Sequence, residues 1–335
     1  MQILIWGAGA IGGTLGAYLI REGHDVLFVD IVETHVAVLN QKGLRITGTI
    51  EEFTVPAKAV TPQNLSGQYE VILLCTKAQH TQIATEALKP FLKDDGYVVS
   101  VQNGLNELII RDIVGVDRTV GAFVNFGADY HAPGDIFFGG RGAVVLGELD
   151  GSTTERLKML ESLFLKFDDS TKITNDLWGY LWGKEAYGAM LFITALTNDS
   201  IADALADKRY ESLYVRAAQE VLRVARATGI QPRAFNGFEP AAFLNDDESG
   251  IQQSMAALVA FNRKSAKTHS GIWRDLAVRK RKTEVAMFDT ILAEGRRVNI
   301  AMPLTERWIM MIHEIEAGQR EQSHANLDEL KADFS

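Results

Sequence analysis

The sequence predicts an α/β chain in which an N-terminal parallel-sheet domain is followed by an all-helical domain. Three observations predict it. The chain opens on a short strand-like run that breaks into Gly-x-Gly-x-x-Gly and passes straight into a helical pattern. Strand-like and helix-like stretches then alternate up to about residue 170. Beyond that point strands largely disappear and long helical patterns take over.

The opening run is Ile3 to Trp6, followed by Gly7-Ala8-Gly9-Ala10-Ile11-Gly12 and a helix with Ile11, Leu15, Tyr18 and Leu19 on one face. A strand, a tight glycine turn and a helix in immediate succession give the motif its weight. Gly7 permits the sharp turn, Gly9 lets a pyrophosphate approach the backbone, and Gly12 lets the helix pack close to the strand. The helix N-terminus then offers free N–H groups and a positive dipole end to phosphates. Val26 to Val29 reads as a second strand, with Asp30 at its end, 18 residues after Gly12. An acid there holds the ribose hydroxyls of an adenosine half and repels a 2′-phosphate, so NAD is favoured over NADP. The first domain is therefore expected to be of the Rossmann type. The competing reading is a glycine turn without a ligand and a surface aspartate capping a helix.

A length of 335 residues is long for one compact domain, and the change of pattern sets the expected domains at 1–170 and 171–335. Hydrophobic residues at 47% and charged residues at 23% suit a globular enzyme. A net charge of −9 with no basic block argues against nucleic acid as a partner. The single cysteine, Cys75, lies in an apolar run and reads as a buried structural thiol. No apolar run is long enough to span a bilayer. The first residues are expected to enter the fold without a leader, and a cytoplasmic location follows by elimination. A homodimer is expected from the several apolar helix faces of the second domain. The seven histidines show no ligand-like spacing, so no metal is expected.

Element by element, Thr34 to Gln41 reads as a helix stopped by Lys42-Gly43, and Leu44 to Val60 as an excursion of short strands. Tyr69 to Thr76 is a continuous apolar run, as in a strand buried on both faces. Lys77 stands directly after it, where strand carboxyl ends meet a ligand crevice. Gln79 to Leu92 reads as helix and Tyr97 to Val101 as the next strand, ending in Gln102-Asn103-Gly104. Arg118 to Phe126 and Gly142 to Leu149 are strand candidates separated by a glycine-rich turn region, and Ser152 to Phe167 is helical. In the second domain helices are expected over Asn175 to Thr197, Tyr210 to Thr228, Ser254 to Lys267, Glu284 to Glu294 and Pro303 to Glu316. Pro303 suits a first-turn position. The polar tail from Ala317 is expected to fray or to cover a neighbour.

Hydride transfer at a hydroxy or keto carbon needs a held nicotinamide, a group that gives or takes a proton at the oxygen, and a clamp for a carboxylate substrate. Lys184, in Leu181-Trp182-Gly183-Lys184, is the leading proton donor. A lysine among Trp178, Leu181, Trp182 and Met190 either snorkels to solvent or serves a site. His269 and Arg274 are candidate partners for a substrate carboxylate.

These pieces together resemble the ketopantoate reductase (2-dehydropantoate 2-reductase) family, from the first residue to about Glu316. The matching segments are Gly7-x-Gly9-x-x-Gly12, Thr76-Lys77, Gln102-Asn103-Gly104, Pro133-Gly134-x-Ile136, Gly147-Glu148, Leu181-Trp182-x-Lys184, Asp275-Leu276 and Lys282-Thr283-Glu284-Val285. The resemblance implies that Lys184 protonates the substrate carbonyl oxygen and that Lys77 and Asn103 lie at the cofactor and substrate. It implies that Glu284 contacts the cofactor and substrate side. The implied reaction is NAD(P)H-dependent interconversion of a 2-keto acid and a 2-hydroxy acid. The cofactor residues are then Gly7, Ala8, Gly9, Ala10, Ile11, Gly12, Asp30, Lys77 and Asn103; the substrate residues are Asn103, Lys184, Thr268, His269 and Ser270.

The chain departs from the family pattern where substrate is held. The family has asparagines four and eight residues after the lysine; here Gly188 and Phe192 stand there, or Leu191 if the register shifts by one. The family serine near Asp275 aligns with Gly271, beside Ser270 and Thr268. These changes point to a different hydroxy- or keto-acid substrate. Other readings stay open: Lys77 as a solvated strand-end lysine, Asn103-Gly104 as a plain turn, and Glu284 as a helix-capping carboxylate. The basic run Arg279 to Lys282 reads as a solvated face or an anion clamp. At the level of function the alternatives are an NAD-dependent catabolic hydroxy-acid or opine-like dehydrogenase, and a non-catalytic NAD(H)-binding sensor.

Overall fold

The computed structural model describes residues 2–265 and 268–334, which form two compact units, one ending at Leu177 and the other beginning at Trp178. The first unit is built on one sheet of ten strands: β1 (Gln2–Trp6), β2 (Asp25–Val29), β3 (Leu44–Thr47), β4 (Phe53–Val55), β5 (Lys58–Val60), β6 (Tyr69–Leu74), β7 (Leu92–Ser100), β8 (Thr119–Ala132), β9 (Asp135–Glu148) and β10 (Lys172–Ile173). Their order is β4-β3-β9-β8-β7-β6-β1-β2-β5, with β10 beside β9. From β5 to β8 every pairing is parallel, as expected, and strand order reverses at β1; the β8–β9 and β3–β4 pairs are antiparallel, so the whole sheet is mixed and mostly parallel. Ligands of such sheets bind outside the carboxyl ends of the strands at that reversal.

Side chains alternate faces along each strand, and both faces are covered. Ile3, Ile5, Val71, Leu73 and Val99 feed one apolar core; Leu4, Trp6, Ile72, Leu74 and Val98 feed the other. That double burial is why β1 and β6 read as unbroken apolar runs. The helices of this unit are α1 (Ala10–Arg21), α2 (Glu33–Lys42), α3 (Thr81–Leu88), α4 (Glu107–Val114) and α5 (Glu155–Phe164).

Two expectations fail here. The glycine-rich turn region expected between Phe126 and Gly142 is much shorter than that, and its Gly139-Gly140 stretch is strand. It lies inside β9, which pairs antiparallel with β8 over the full length of both, with register shifts near Gly127. The turn is Pro133-Gly134, where Gly134 has φ of +74°. The second failure is α4, which was not anticipated.

The second unit holds α6 (Leu177–Thr194), which starts at the unit boundary, α7 (Ile201–Ala206), α8 (Glu211–Ala227), α9 (Pro240–Leu244), α10 (Glu248–Lys264), α11 (Gly271–Trp273), α12 (Met287–Arg297), α13 (Pro303–Glu316) and α14 (His324–Phe334). The expected end of one helix at Lys267 lies outside the described residues. Pro303 occupies the first turn of α13, as expected. Buried Glu220 on α8 caps that helix, accepting from the backbone N–H of Leu304 (3.1 Å) and Thr305 (2.8 Å) and from the Thr305 hydroxyl (2.8 Å). The tail does not fray. It folds into α14, with Leu327 and Leu330 buried and Arg320 bonded to Glu314 (2.5 Å) and Glu329 (2.7 Å). Among the described residues no helix is long and apolar enough to cross a membrane.

Candidate functional site

In the first unit the candidate residues gather at the carboxyl ends of adjacent parallel strands. Gly7 follows β1, Asp30 follows β2, Lys77 lies past the end of β6 and Asn103 past that of β7. The three motif glycines are needed for different reasons. Gly7 has φ of +102°, and a Cβ on it would sit 3.0 Å from the backbone at Cys75 and Thr76. A Cβ on Gly12 would lie 2.1 Å from the Gly7 carbonyl oxygen and 2.9 Å from the Cys75 Cβ. The chain itself thus forbids side chains at both. A Cβ on Gly9 would meet nothing within 4 Å. Gly9 is the N-cap of α1, no side chain caps that end, and no acid lies in its first turn. The donors and the dipole of this helix end therefore open onto free space, which fits a pyrophosphate. Burial pushes the Cys75 thiol up, so beneath the loop it is a neutral packing group.

Asp30 braces the loop it was expected to flank. One carboxylate oxygen accepts from the Ala8 N–H at 2.9 Å and the other from the Val32 N–H at 2.9 Å. A carboxylate has about four acceptor positions, so capacity remains for ribose hydroxyls. His35, on α2, was missed by sequence reasoning. It is fully buried, with Nε2 2.9 Å from the Ala8 carbonyl oxygen and Nδ1 3.0 Å from the Gly134 nitrogen. The Gly134 N–H can only donate, so Nδ1 accepts and Nε2–H donates to Ala8. One neutral imidazole thus ties the glycine loop to the β8–β9 turn. Nothing local signals this, because the partner lies 99 residues away. Tyr130 packs edge-on to His35 at 5.1 Å, and its hydroxyl is raised above the usual range by burial and then by Asp30.

The turns after β6 and β7 are held by one network. Buried Gln102 donates to the Thr76 carbonyl (2.8 Å) and the Thr81 hydroxyl (2.9 Å). Thr81 donates to Asn106 (2.9 Å), which donates to the Asn103 carbonyl (2.6 Å). Lys77 and Asn103 are both half-buried on these turns, and Gly104 takes φ of +103°.

In the second unit Lys184 is half-buried on α6 between fully buried neighbours. Tyr180, Gly188 and Leu191 are half-buried on the same face. A Cβ on Gly183 would lie 2.4 Å from the Arg233 carbonyl oxygen, so the residue before the lysine packs against backbone. Phe192 is core: it stacks on Trp308 at 5.1 Å and meets Phe288 edge-on at 5.2 Å. Glu284 is half-buried in the turn before α12, which Glu316 anchors by accepting from the Thr283 N–H and hydroxyl, both at 2.7 Å. It is not within the first turn of that helix, which starts at Met287.

The segment from Thr268 to Ser270 is only partly available for substrate. Ser270 is buried and caps α11, its hydroxyl accepting from the Trp273 N–H at 3.1 Å. Thr268 bonds His269 at 2.9 Å, and the His269 ring lies 4.0 Å from that of Trp273, whose indole N–H donates to Asn198 at 3.2 Å. In the basic run Arg279 (3.0 Å) and Arg281 (2.8 Å) both pair with buried Asp275, while Lys280, Arg281 and Lys282 are exposed, as on a solvated face.

The family model described as ketopantoate reductase PanE/ApbA matches residues 3–151, and that for its C-terminal part matches residues 176–316. The chain is 28% identical over 295 residues to a 2-dehydropantoate 2-reductase of Mesorhizobium japonicum, covering 78% of this chain and 90% of that one. It is 32% identical over 187 residues to the enzyme of that name from Pyrococcus abyssi, where the match spans 55% of this chain and 60% of the relative. Among solved structures, a PanE/ApbA family ketopantoate reductase from Ralstonia eutropha JMP134 superposes with a TM-score of 0.80 at 24% identity, covering 95% of this chain and 99% of that one. A D-mandelate dehydrogenase in a ternary structure with NADH and anilino(oxo)acetate superposes with a TM-score of 0.83 at 20% identity and the same coverage. At these identities the structural likeness concerns the fold.

Two outcomes follow for stability. Gly12→Ala is expected to cost about 3 kcal/mol, because backbone must move to admit the methyl, whereas Gly9→Ala is expected to cost under about 1 kcal/mol. Denaturant melts of the two variants measure this, and equal losses would contradict the division of roles. His35→Leu strands a buried carbonyl and a buried N–H, at a cost of about 2 kcal/mol. Hydrogen exchange at the Gly134 amide should quicken in that variant and recover in His35→Gln, which can still donate and accept.

Proposed function

The chain belongs to the ketopantoate reductase family of nicotinamide-dependent oxidoreductases acting on CH–OH groups, and on that premise we propose that it interconverts a small 2-keto acid and its 2-hydroxy acid with NAD(H). The observation that carries this reading is the glycine loop. Gly7 and Gly12 are closed off by the chain's own backbone, while Gly9 opens an uncapped helix end beside Asp30.

In this reading the loop from Gly7 to Gly12 and the first turn of α1 hold the pyrophosphate. Asp30 takes the adenosine ribose hydroxyls and disfavours a 2′-phosphate by charge repulsion, which selects NAD(H) over NADP(H). Lys77 and Asn103, fixed by the Gln102 network, serve the cofactor, and Asn103 also serves the substrate. The bound nicotinamide supplies or accepts the hydride. The Lys184 ammonium donates a proton to the substrate oxygen as negative charge develops there, and takes it back in the reverse direction. Glu284 stands on the substrate and cofactor side. Thr268 and His269 contact the substrate carboxylate, and Ser270 supports them through its cap on α11. The D-mandelate dehydrogenase of like fold was solved with NADH, so this fold accommodates that cofactor. Asp30 equally suits an oxidative direction with NAD.

Lys184→Ala is expected to lower kcat by about 100- to 10,000-fold, the usual range for a general acid, with little change in NADH affinity. Steady-state turnover of a 2-keto acid panel, with cofactor binding followed by fluorescence, checks this; a loss under about tenfold in a folded variant removes Lys184 from the role. Asp30→Asn removes the repelling charge and keeps the bond from Ala8. It is expected to move the NADH-to-NADPH ratio of kcat/KM by at least about tenfold toward NADPH, roughly the coupling expected of one charge pair near a protein surface.

A further inference from the structure

The residues after Glu316 lie beyond the span that matches the family, yet they close the end of α6. The last carbonyls of a helix lack intrahelical donors. Here the helix first tightens: the N–H groups of Ala195, Leu196 and Thr197 donate three residues back, to Phe192 (3.1 Å), Ile193 (3.1 Å) and Thr194 (3.3 Å). The carbonyls that follow are met by the tail. Gln322 Nε2 donates to the Ala195 carbonyl at 2.8 Å. The Leu196 carbonyl accepts from the Ser323 N–H at 3.0 Å and from Asn326 Nδ2 at 2.8 Å. Asn326 is 2% exposed; its amide also donates to the Glu321 carbonyl (2.8 Å) and accepts from Arg320 (2.9 Å). His324 Nε2 stands 2.6 Å from Asp199 on the same turn.

The capped turn grips a second segment on its other side. Asn198 Nδ2 donates to the Gln322 carbonyl at 3.0 Å, while its Oδ1 accepts from the Trp273 indole N–H at 3.2 Å. The Asn198 backbone carbonyl lies 3.3 Å from His269 Nε2. A carbonyl can only accept, so Nε2–H donates, and Nδ1 accepts from the Thr268 hydroxyl at 2.9 Å. The Ile201 N–H donates to the Thr268 carbonyl at 2.9 Å. One turn, residues 195–201, thus joins the tail to the segment from Thr268 to Trp273, and the Asn198 amide bonds to both.

We infer that Gln322, Ser323 and Asn326 are positioning residues for acid binding: by capping the 195–201 turn they set, through Asn198, the orientation of His269 and Trp273. The inference rests on the proposed role of Thr268 and His269 at the substrate carboxylate. That carboxylate is held in the ground state and in the transition state alike. A loosened segment therefore weakens both equally, and the effect falls on KM rather than kcat.

The test uses the full chain and two variants, Asn198→Ala and Gln322→Ala. Asn198 is exposed and Gln322 half-buried, so neither truncation opens the core. Amide hydrogen exchange at Ile201, which bonds the Thr268 carbonyl, should quicken by about tenfold in both variants. KM for the 2-keto acid that wild type turns over best should rise by about fivefold, the scale of one net hydrogen bond. Both kcat and NADH affinity should stay within about twofold, with unchanged circular dichroism, a split that a general loss of stability would not produce. An unchanged KM in the folded variants overturns the inference, whether or not exchange at Ile201 quickens, and leaves the proposed reaction intact. So does a fall in kcat with KM unaltered. Absence of wild-type turnover for every 2-keto and 2-hydroxy acid tried, with either cofactor, overturns the proposed function and this inference with it.

Discussion

The constraint on which the nucleotide-type unit depends is the absence of room between the start of α1 and the ends of β1 and β6. The Gly7 carbonyl, the Gly12 Cα and the Cys75 side chain meet so closely that one methyl group would overlap backbone. This contact brings the N-terminus of α1 down onto the sheet at the point where strand order reverses. The loop between is then fixed from both sides, by Asp30 on the Ala8 N–H and by His35 on the Ala8 carbonyl. The two peptide groups that flank the Ala8 Cα are thereby oriented without any ligand. That preorganisation matters because ordering a loop on binding would otherwise be subtracted from affinity.

How much of this was legible in the sequence follows from what each element depends on. β1, the loop and α1 are local: a strand, a turn and a helix in succession, with Gly7 and Gly12 required by backbone geometry. β6 and β7 were legible because burial on both faces writes a continuous apolar run. The β8–β9 ribbon was legible only in its outer parts, because the glycines between them signal a turn by composition, while pairing of Gly140 with Gly127 and of Phe138 with Ala128 carries the ribbon on to Pro133-Gly134. Of the two expectations for the tail, fraying is the one that fails, for a similar reason. Its charges look like a solvated coil, yet Arg320 and Arg307 use Glu314, Glu329 and Asp333 as partners within a folded α13–α14 pair. Propensity and pattern are local, and tertiary partners overrode both.

Polar residues that serve the site through others were the least legible. His35, Gln102, Thr81 and Asn106 lie in no motif that names them as supports. Their function is to satisfy buried backbone groups whose exposure to apolar surroundings would be costly. Gln102 illustrates the difficulty. It sits in the segment that resembles the family, but its amide is directed to Thr76 and Thr81, holding the turn on which the more accessible Asn103 stands.

The α6 helix shows the converse limit of a motif. Aligning residues by count places Phe192 where the family carries a substrate-binding amide, yet here that position is claimed by the core. A helix of 3.6 residues per turn returns after seven, within about 20°, and overshoots by about 80° after eight. Phe192 is therefore drawn into the aromatic core with Trp308 and Phe288, and Leu191 takes the accessible place. A backbone-dependent site such as the glycine loop can be read from residue type alone. A site made of side chains on one helix face can be read only once its phase is known, and phase is set by which residues the core claims first.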